Sequence, residues 1–327
     1  MASWQYREGL HALGNGAYAY LQPDGSWGLS NAGLIADGGQ SLLVDTLMDL
    51  PRTRKMLDAM RAAEPAARKI GTLLNTHSNG DHTHGNQLVE GARIVSSRAC
   101  LEEMKSLPSP SDAESIGKGW RRYGAAGAFF NEVMWWRFDL DGIVNTYPTE
   151  TFSGEMTLRV GDKEVRLFEV GPAHTRGDVL AYVPADRIVF TGDMAFIGGH
   201  PVVWAGPVSN WIKACDKILG WDVETVVPGH GPITDKNGIR KLKDYFVYVH
   251  AEARKRFDAG MSYADAARDI ALDPYADWLD AERIVVNVIT CYREFGAAGL
   301  PDFFGMLNAM AELYNERKRP AFARHAH

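Results

Sequence analysis

The sequence has few cysteines, no long apolar run and no excess of basic residues, and each shortage excludes a class of protein. Its three cysteines, Cys100, Cys215 and Cys291, lie far apart without a Cys-x-x-Cys pair, which favours a reduced, cytoplasmic protein over a disulfide-stabilised one. No run of about 18 apolar residues occurs, and residues 1–8 lack the apolar core of a signal peptide, so we expect neither a membrane partner nor export. The formal charge of −6 argues against a nucleic-acid partner.

The chain does contain ample apolar material, since 46% of its 327 residues are hydrophobic, enough for one large or two small domains. Residues 10–46 show short strand patterns separated by glycine- and aspartate-containing turns, and residues 152–170 show a strand hairpin. Between them, residues 52–64 have apolar positions at helical spacing. The sequence therefore predicts a mixture of strands and helices.

One short loop, residues 75–86, concentrates side chains that bind metal ions. It follows an apolar stretch, residues 70–74, that reads as a buried strand, and a helix-like stretch begins at Gln87. Zn²⁺ prefers imidazole nitrogen and carboxylate oxygen, and a loop between a strand and a helix can direct several such groups at one point. The loop carries four such side chains together with an asparagine: His77, Asn79, Asp81, His82 and His84.

Four further apolar segments each end near a residue that suits a metal site. Asp45 ends one of them, and His174 follows another. Asp193 comes after a glycine, and His230 stands between two glycines. Glycine permits close backbone approach or positive φ, which a crowded site requires. The repeated order of strand, glycine and ligand is more specific than any one motif.

Taken in order, these motifs resemble those of the metallo-β-lactamase superfamily over about residues 10–235. The matching elements are a His-x-His-x-Asp-His loop, then Gly-x-x-His-Thr-x-Gly-Asp, Gly-Asp and Pro-Gly-His-Gly. The resemblance implies an α/β fold, a four-layer αβ/βα sandwich with a one- or two-metal site at one edge of its sheets. It also implies that six residues match family ligands, namely His77, Asp81, His82, His174, Asp193 and His230, and that Asp45 matches a carboxylate that orients them.

Two residues depart from the family's pattern. Asn79 stands where a second loop histidine is expected, and His84 stands where a small residue is common. The resemblance implies one metal site at His77, Asn79 and His174 and another at Asp81, His82 and His230, with Asp193 bridging them. Because an amide oxygen is a weaker ligand than imidazole, we expect one tight zinc site, the latter, and a weaker second site. We expect His84 to lie behind the ligands, as Asp45 does; the alternative is that it swings in to replace the missing imidazole.

Residues 101–150 interrupt the sandwich pattern with an aromatic, helical insertion. A cap signal at Ser111 or Asp112 precedes its aromatic side chains. Such a stripe forms core, a subunit contact or the wall of a substrate pocket, and we assign the pocket to Trp120, Phe129, Phe130, Trp135 and Trp136. Among these aromatics, the groups able to engage an anion are Lys118, Arg121, Arg122 and Arg137. We therefore expect an apolar acyl or aryl substrate.

The chain changes character after His230. Residues 1–236 are expected to form the catalytic domain, and residues 237–327 a mainly helical extension packed on it. Packing or dimerisation is the expected role of this extension, and we expect a homodimer.

The ligand set predicts a zinc-dependent hydrolase in which metal-bound hydroxide attacks a small ester, lactone, thioester or amide. No G-x-S-x-G motif suggests a covalent route, and Asp81 and Asp193 are the expected catalytic carboxylates. Other interpretations stay open: hydrolytic dehalogenation of an electron-poor aromatic compound, an iron-dependent oxygen-using enzyme, or a non-catalytic metal-binding protein. Only Asn79 favours the last of these.

Overall fold

Two mixed β-sheets pack face to face in the computed structural model. The structure describes residues 4–318, so residues 1–3 and 319–327 lie outside it. The first sheet has seven strands in chain order: β1 (Gly9–Gly14), β2 (Ala17–Leu21), β3 (Ala32–Asp37), β4 (Gln40–Val44), β5 (Thr72–Leu74), β6 (Arg93–Ser97) and β7 (Glu150–Phe152). The second has five strands in the order β12, β11, β10, β9, β8: β8 (Glu155–Val160), β9 (Lys163–Glu169), β10 (Val179–Val183), β11 (Ile188–Phe190) and β12 (Thr225–Val227).

Ten α-helices lie in the described part of the chain. They are α1 (Leu50–Ala63), α2 (Gly80–Thr83), α3 (Arg98–Ser106), α4 (Pro110–Lys118), α5 (Gly124–Val133), α6 (Val208–Gly220), α7 (Lys236–Asp258), α8 (Tyr263–Asp269), α9 (Ile284–Glu294) and α10 (Phe303–Lys318). None of them combines the length and the apolar composition that crossing a lipid bilayer requires.

The central strands β3, β4, β10 and β11 are largely apolar because both of their faces are buried, whereas the edge strand β8 alternates buried and more exposed residues. In β4, Leu42 and Val44 point into the core between the sheets, whereas Leu43 points outward against α1. In β10, Ala181 faces the inner core and Leu180 the outer layer of helices. Since side chains alternate along a strand, this pattern is the one expected of a sheet covered on both sides. The predicted four-layer α/β sandwich is confirmed.

The C-terminal helices share a core with the second sheet. Leu180 of β10 belongs to the same buried cluster as Leu242 of α7, Ile289 of α9 and Met310 of α10. A buried polar network also joins this region to the sandwich: Asn287 Nδ2 donates to the carbonyl of Pro201 at 2.9 Å. The extension is therefore packed on the sandwich, while the division at residues 236 and 237 stays a prediction.

The insertion lies between β6 and β7 and packs against the C-terminal helix. The rings of Phe129 on α5 and Tyr314 on α10 have centroids 4.9 Å apart. The Tyr314 hydroxyl donates to Glu132 at 3.1 Å, and Lys318 forms an ion pair with the same carboxylate. Helices α5 and α10 are thus tied together, although they are about 180 residues apart in sequence.

Local structure differs from the sequence-based expectation at two places. The short α2 lies within the ligand loop, and the helix-like stretch expected from Gln87 is a 3₁₀ turn at Asn86–Leu88. The cap of α4 is Ser109, two residues before the expected Ser111: its hydroxyl accepts from the amide of Asp112, whose carboxylate accepts in return. Pro110 at the first helical position favours this earlier start.

Candidate metal centre

Four histidines converge on the carboxylate of Asp193 at one edge of the sandwich. Its Oδ1 lies 3.0 Å from Nε2 of His82. Its Oδ2 lies 3.2 Å from Nε2 of His174, 3.3 Å from that of His230 and 3.7 Å from that of His77. The loops that follow β5, β9, β11 and β12 supply these residues, so five side chains distant in sequence meet at one point.

Asp81 is the second carboxylate of the cluster. Its Oδ2 lies 3.3 Å from Nε2 of His230 and 3.8 Å from Nε2 of His82. Unlike Asp193, of which 4% of the side chain is exposed, Asp81 has 14% of its side chain exposed. Asp81 therefore lies on the solvent side of the cluster.

The close approach of the ligand loops to Asp193 and Thr76 depends on two glycines. Gly229, next to His230, packs against Asp193 so closely that a Cβ atom would lie 2.0 Å from Oδ1. Gly192 adopts φ +48°, where a side chain is strained, and a Cβ there would lie 2.3 Å from the Thr76 hydroxyl. The glycines in the Gly-Asp and Pro-Gly-His-Gly motifs thus allow the ligand loops to meet.

Asp45 fixes the orientation of two imidazoles. Its Oδ2 lies 2.9 Å from Nδ1 of His82, which donates to it, and accepts from the Thr76 hydroxyl at 2.7 Å. That hydroxyl lies 3.0 Å from Nδ1 of His77, from which it accepts. Asp45 adopts φ 62°, a conformation that aspartate tolerates better than most residues.

Backbone carbonyls fix the other two imidazoles. Nδ1 of His174 lies 2.7 Å from the carbonyl oxygen of Val202, and Nδ1 of His230 lies 3.0 Å from that of Gly25. A carbonyl can only accept, so each Nδ1 carries the proton. When neutral, each of the four imidazoles therefore directs an Nε2 lone pair at the carboxylates.

The cluster fits a divalent cation. Nε2 of His77, Nε2 of His82 and Oδ1 of Asp193 are fully buried and have no hydrogen-bond partner among the described residues. Buried polar atoms without partners are costly, and a cation with imidazole and carboxylate ligands satisfies all three at once. Two overlapping triads have ligand atoms within 4.8 Å of one another: His77, His82 and Asp193, and Asp81, His82 and His230.

The carboxylates shift the pKa values of the histidines they face. Burial opposes charge on His82, but the carboxylates, Asp193 first among them, outweigh it and raise the His82 pKa well above its usual range. Burial is likewise outweighed at His230, where Asp193 and Asp81 raise the pKa to about 9. Without a cation, protons thus balance the negative charge, and metal binding must displace them.

Asn79 lies against His174. Its side-chain oxygen is 2.7 Å from Nε2 of His174, whose pKa is lowered, chiefly by burial. A lone pair on Nε2 and an amide oxygen at this distance repel each other unless a cation contacts both or the amide turns to donate. His84 faces away from the cluster: its Nδ1 donates to the carbonyl of Met48 at 3.2 Å, and its ring lies over Gly80 in the cavity wall.

Asp178 holds the His174 loop, a contribution that the sequence reasoning missed. Its carboxylate accepts from the amides of Ala173 and Thr175, at 3.1 and 3.0 Å, and from the Thr175 hydroxyl at 2.6 Å. Burial raises its pKa to about 7. The signal was present, because Asp178 ends the Gly-x-x-His-Thr-x-Gly-Asp motif.

A cavity of about 910 Å³ opens onto the cluster, within the usual size range for ligand pockets. Of the five aromatics assigned to a pocket, Phe130 and Trp135 line it, whereas Trp120, Phe129 and Trp136 do not. Phe129 is buried against Tyr314, and Trp136 is 65% exposed. Much of the remaining apolar lining comes from segments that the sequence did not associate with the site: Trp27, Trp204, Phe303, Phe304 and Leu307.

The αβ/βα sandwich and its cluster of histidines and aspartates place the chain in the class of α/β sandwich proteins whose edge residues can hold a metal ion. Within that class the chain belongs to the metallo-beta-lactamase superfamily, whose family model matches residues 25–230. Solved structures show the same fold. The stereoselective inverting sec-alkylsulfatase Pisa1 from Pseudomonas sp. aligns with a TM-score of 0.66 at 15% identity, over 88% of this chain and 50% of that one. The DIM-1 metallo-beta-lactamase aligns with a TM-score of 0.53 at 17% identity, over 72% of this chain and 95% of its own length.

Two curated relatives match a smaller share of this chain at higher identity. Acyl-coenzyme A thioesterase MBLAC2 of Homo sapiens is 23% identical over 62% of this chain and 72% of its own length. The 2,4-dinitroanisole O-demethylase subunit alpha of Nocardioides sp. (strain JS1661) is 32% identical over 41% of this chain and 36% of its own. The chain thus spans about half of the sulfatase and about a third of the demethylase subunit.

Proposed function

We propose that this protein is a zinc-dependent hydrolase that cleaves a small apolar ester or thioester, with lactones and amides as chemically related substrates. The observation that carries the proposal is the set of four Nε2 lone pairs and two carboxylates at the floor of a largely apolar cavity. Membership of a superfamily that includes a thioesterase relative supports hydrolysis.

We assign the tight zinc site to Asp81, His82, Asp193 and His230. A bound zinc ion lowers the pKa of a coordinated water to about 7 and so supplies hydroxide at neutral pH. Asp81 and Asp193 both reach the cavity, and their carboxylates orient the attacking water by accepting its hydrogen bonds. Burial opposes charge on Asp81, but His82 and His230 outweigh it and hold the pKa of this carboxyl well below its usual range, so Asp81 would accept hydrogen bonds and would not carry the proton.

The second site, at His77, Asn79 and His174, is the weaker one. Its only amide ligand replaces an imidazole and contacts His174 directly. Asn79→His should therefore raise the affinity for a second zinc ion. Competition against a chromophoric chelator measures that affinity, and unchanged affinity in a folded variant would show that Asn79 does not limit the site.

An attack on an electron-poor aromatic ring is the second candidate. The demethylase relative is named for a substrate whose ring carries two nitro groups, which favours this reading of the same apolar cavity. Halide release from a chlorinated nitroarene, against acid production from an ester, distinguishes the two reactions.

We also propose a reduced, cytoplasmic location, supported by three free and buried cysteines, and a homodimer, as expected from the sequence.

A hydrolysis screen of the zinc-loaded protein across thioesters, esters, lactones, aryl halides and β-lactams tests the proposal. Asp193→Ala and His230→Ala should abolish turnover while circular dichroism shows a retained fold. Asp58→Ala, at a residue on the far helix α1 with a 74% exposed side chain, is the matched control. Metal binding without turnover of any class would favour the non-catalytic binding protein instead.

A further inference from the structure

The basic residues expected to meet an anionic group do not reach the cavity. None of Lys118, Arg121, Arg122 and Arg137 lines it. Lys118 pairs with Glu114, Arg121 lies over the Trp120 ring, and Arg137 lies 3.7 Å from Asp24. The insertion therefore supplies apolar wall without supplying charge.

Three other arginines do line the cavity, and one of them is already occupied. Arg283 is 2% exposed, lies 3.0 Å from Asp280, donates to the carbonyl of His200 and stacks on Trp27. Arg293 is exposed and forms no ion pair with any described residue. Arg176 is 67% exposed, and its closest carboxylate, Glu103, is 3.8 Å away.

Arg176 and Arg293 both line the cavity and lie on segments that residues 204–206 connect. Residue 176 follows His174 by two positions, and the carbonyls of residues 173 and 174 accept from the amides of Gly206 and Trp204. Gly206 in turn packs on α9, where a Cβ atom would lie 2.3 Å from Thr290. Arg293 is one turn further along α9, on the face that residue 290 presents. The segments that carry the two arginines are thus joined through residues 204–206 at the cavity wall.

The cavity mouth also carries aromatic rings, and the Phe303 ring packs on Trp204 with centroids 5.7 Å apart. Phe303 and Phe304 are 53% and 50% exposed, and the Phe304 ring stacks on Tyr123 with centroids 6.1 Å apart. Outside the metal cluster, Glu103 is the one carboxylate on the described wall, and Ser78 and the Arg176 amide already donate to it. The lining thus combines arginines with aromatic rings, although the whole chain carries a formal charge of −6.

We propose that the natural substrate is an amphiphile: an apolar acyl or aryl body lies in the cavity, and an oxyanion group (carboxylate, sulfonate or phosphate in type) is held at the mouth by Arg293 and Arg176. The inference rests on the proposed function, since it takes this cavity as the substrate site. Arg293 lies in α9, beyond the residues 25–230 that the family model matches, so this specificity belongs to the chain's own C-terminal helices. Guanidinium groups suit oxyanions because they can donate two parallel hydrogen bonds.

Binding of matched amphiphiles to the full-length zinc-loaded protein tests the inference without turnover. Octanesulfonate and octanol share one apolar chain and differ in charge; octanoate and octylphosphonate identify the preferred oxyanion. Binding is followed by the fluorescence of the three tryptophans in the wall, Trp27, Trp135 and Trp204. We expect octanesulfonate to bind about tenfold more tightly than octanol, as for a charge-assisted hydrogen bond at a partly desolvated site.

Arg293→Gln should remove most of that preference while octanol affinity stays unchanged, and Arg176→Gln should reduce it less, because Glu103 already draws on its charge. Arg187→Gln, which removes a surface pair with Asp222, is the control. Equal affinity for the two ligands in the wild type, or a preference that survives the Arg176→Gln/Arg293→Gln double variant, would overturn the inference. Selective binding without hydrolysis would contradict the proposed function and leave this inference intact.

Discussion

Replacing Asp45 by asparagine should place a proton on the ligand nitrogen of His82. Oδ1 of Asp45 accepts from the Thr76 amide at 2.7 Å, and because that amide can only donate, the asparagine oxygen must take this position. The new NH₂ group then faces Nδ1 of His82, which lies 2.9 Å away. Nδ1 becomes an acceptor, so the proton moves to Nε2, the atom that faces Asp193. Asparagine tolerates φ 62°, so the backbone need not change.

The expected loss of zinc affinity is about 10–100-fold, the usual effect of removing a partner that orients a ligating histidine. This corresponds to about 1.4–2.8 kcal/mol. Competition with a chromophoric chelator measures the affinity, and circular dichroism checks the fold; Asp58→Asn on an exposed face of α1 is the isosteric control. Wild-type zinc affinity in folded Asp45→Asn would refute the reasoning, because zinc binding by Nε2 of His82 would then not depend on Asp45 keeping the proton on Nδ1.

Three further predictions follow from the same contacts. Asp178→Asn replaces an acceptor oxygen by a donor facing the amides of the His174 loop, and should lower stability by about 1–3 kcal/mol, measured by urea unfolding. The folded-state pKa of His230 is raised from 6.5 to about 9. In metal-free protein, the stabilisation from protonated His230 is therefore complete below pH 6.5 and lost as pH rises through 9. Thermal unfolding should show a Tm that falls over this pH range, and the Tm of zinc-loaded protein should not fall in the same way. Trp135→Ala should raise KM for apolar substrates with zinc content unchanged, whereas Trp136→Ala, at a residue outside the cavity, should change neither; loss of fold in Trp135→Ala would show a core role instead.

The sequence was most informative where ligands follow strands closely. Asp193 and His230 each stand three residues beyond the end of β11 or β12, so a short motif carries both the strand end and the ligand. Asp45 comes directly after β4. Because these strands are buried on both faces, their apolar runs could be recognised as strands, whereas the sandwich itself was implied by the family resemblance of the motifs.

Features formed by packing between distant segments were not visible in the sequence. Nothing in residues 303–318 indicates that Phe303 and Phe304 border a cavity whose floor begins at residue 77, because α10 reaches it only by docking on α5. Equally, helical spacing could not separate Phe130, which lines the cavity, from Phe129, which packs against Tyr314. Adjacent helix positions point about 100° apart, and the sequence does not say which direction holds the ligand.

The zinc content of the purified protein tests the central claim most directly. After extended dialysis against a chelator at neutral pH, elemental analysis should find one zinc ion per chain in the wild type and none in His230→Ala with its fold retained. Two retained zinc ions would contradict the weak site at His77, Asn79 and His174. A wild-type protein that holds no zinc, and takes none up on titration, would contradict the assignment of this cluster as a metal centre.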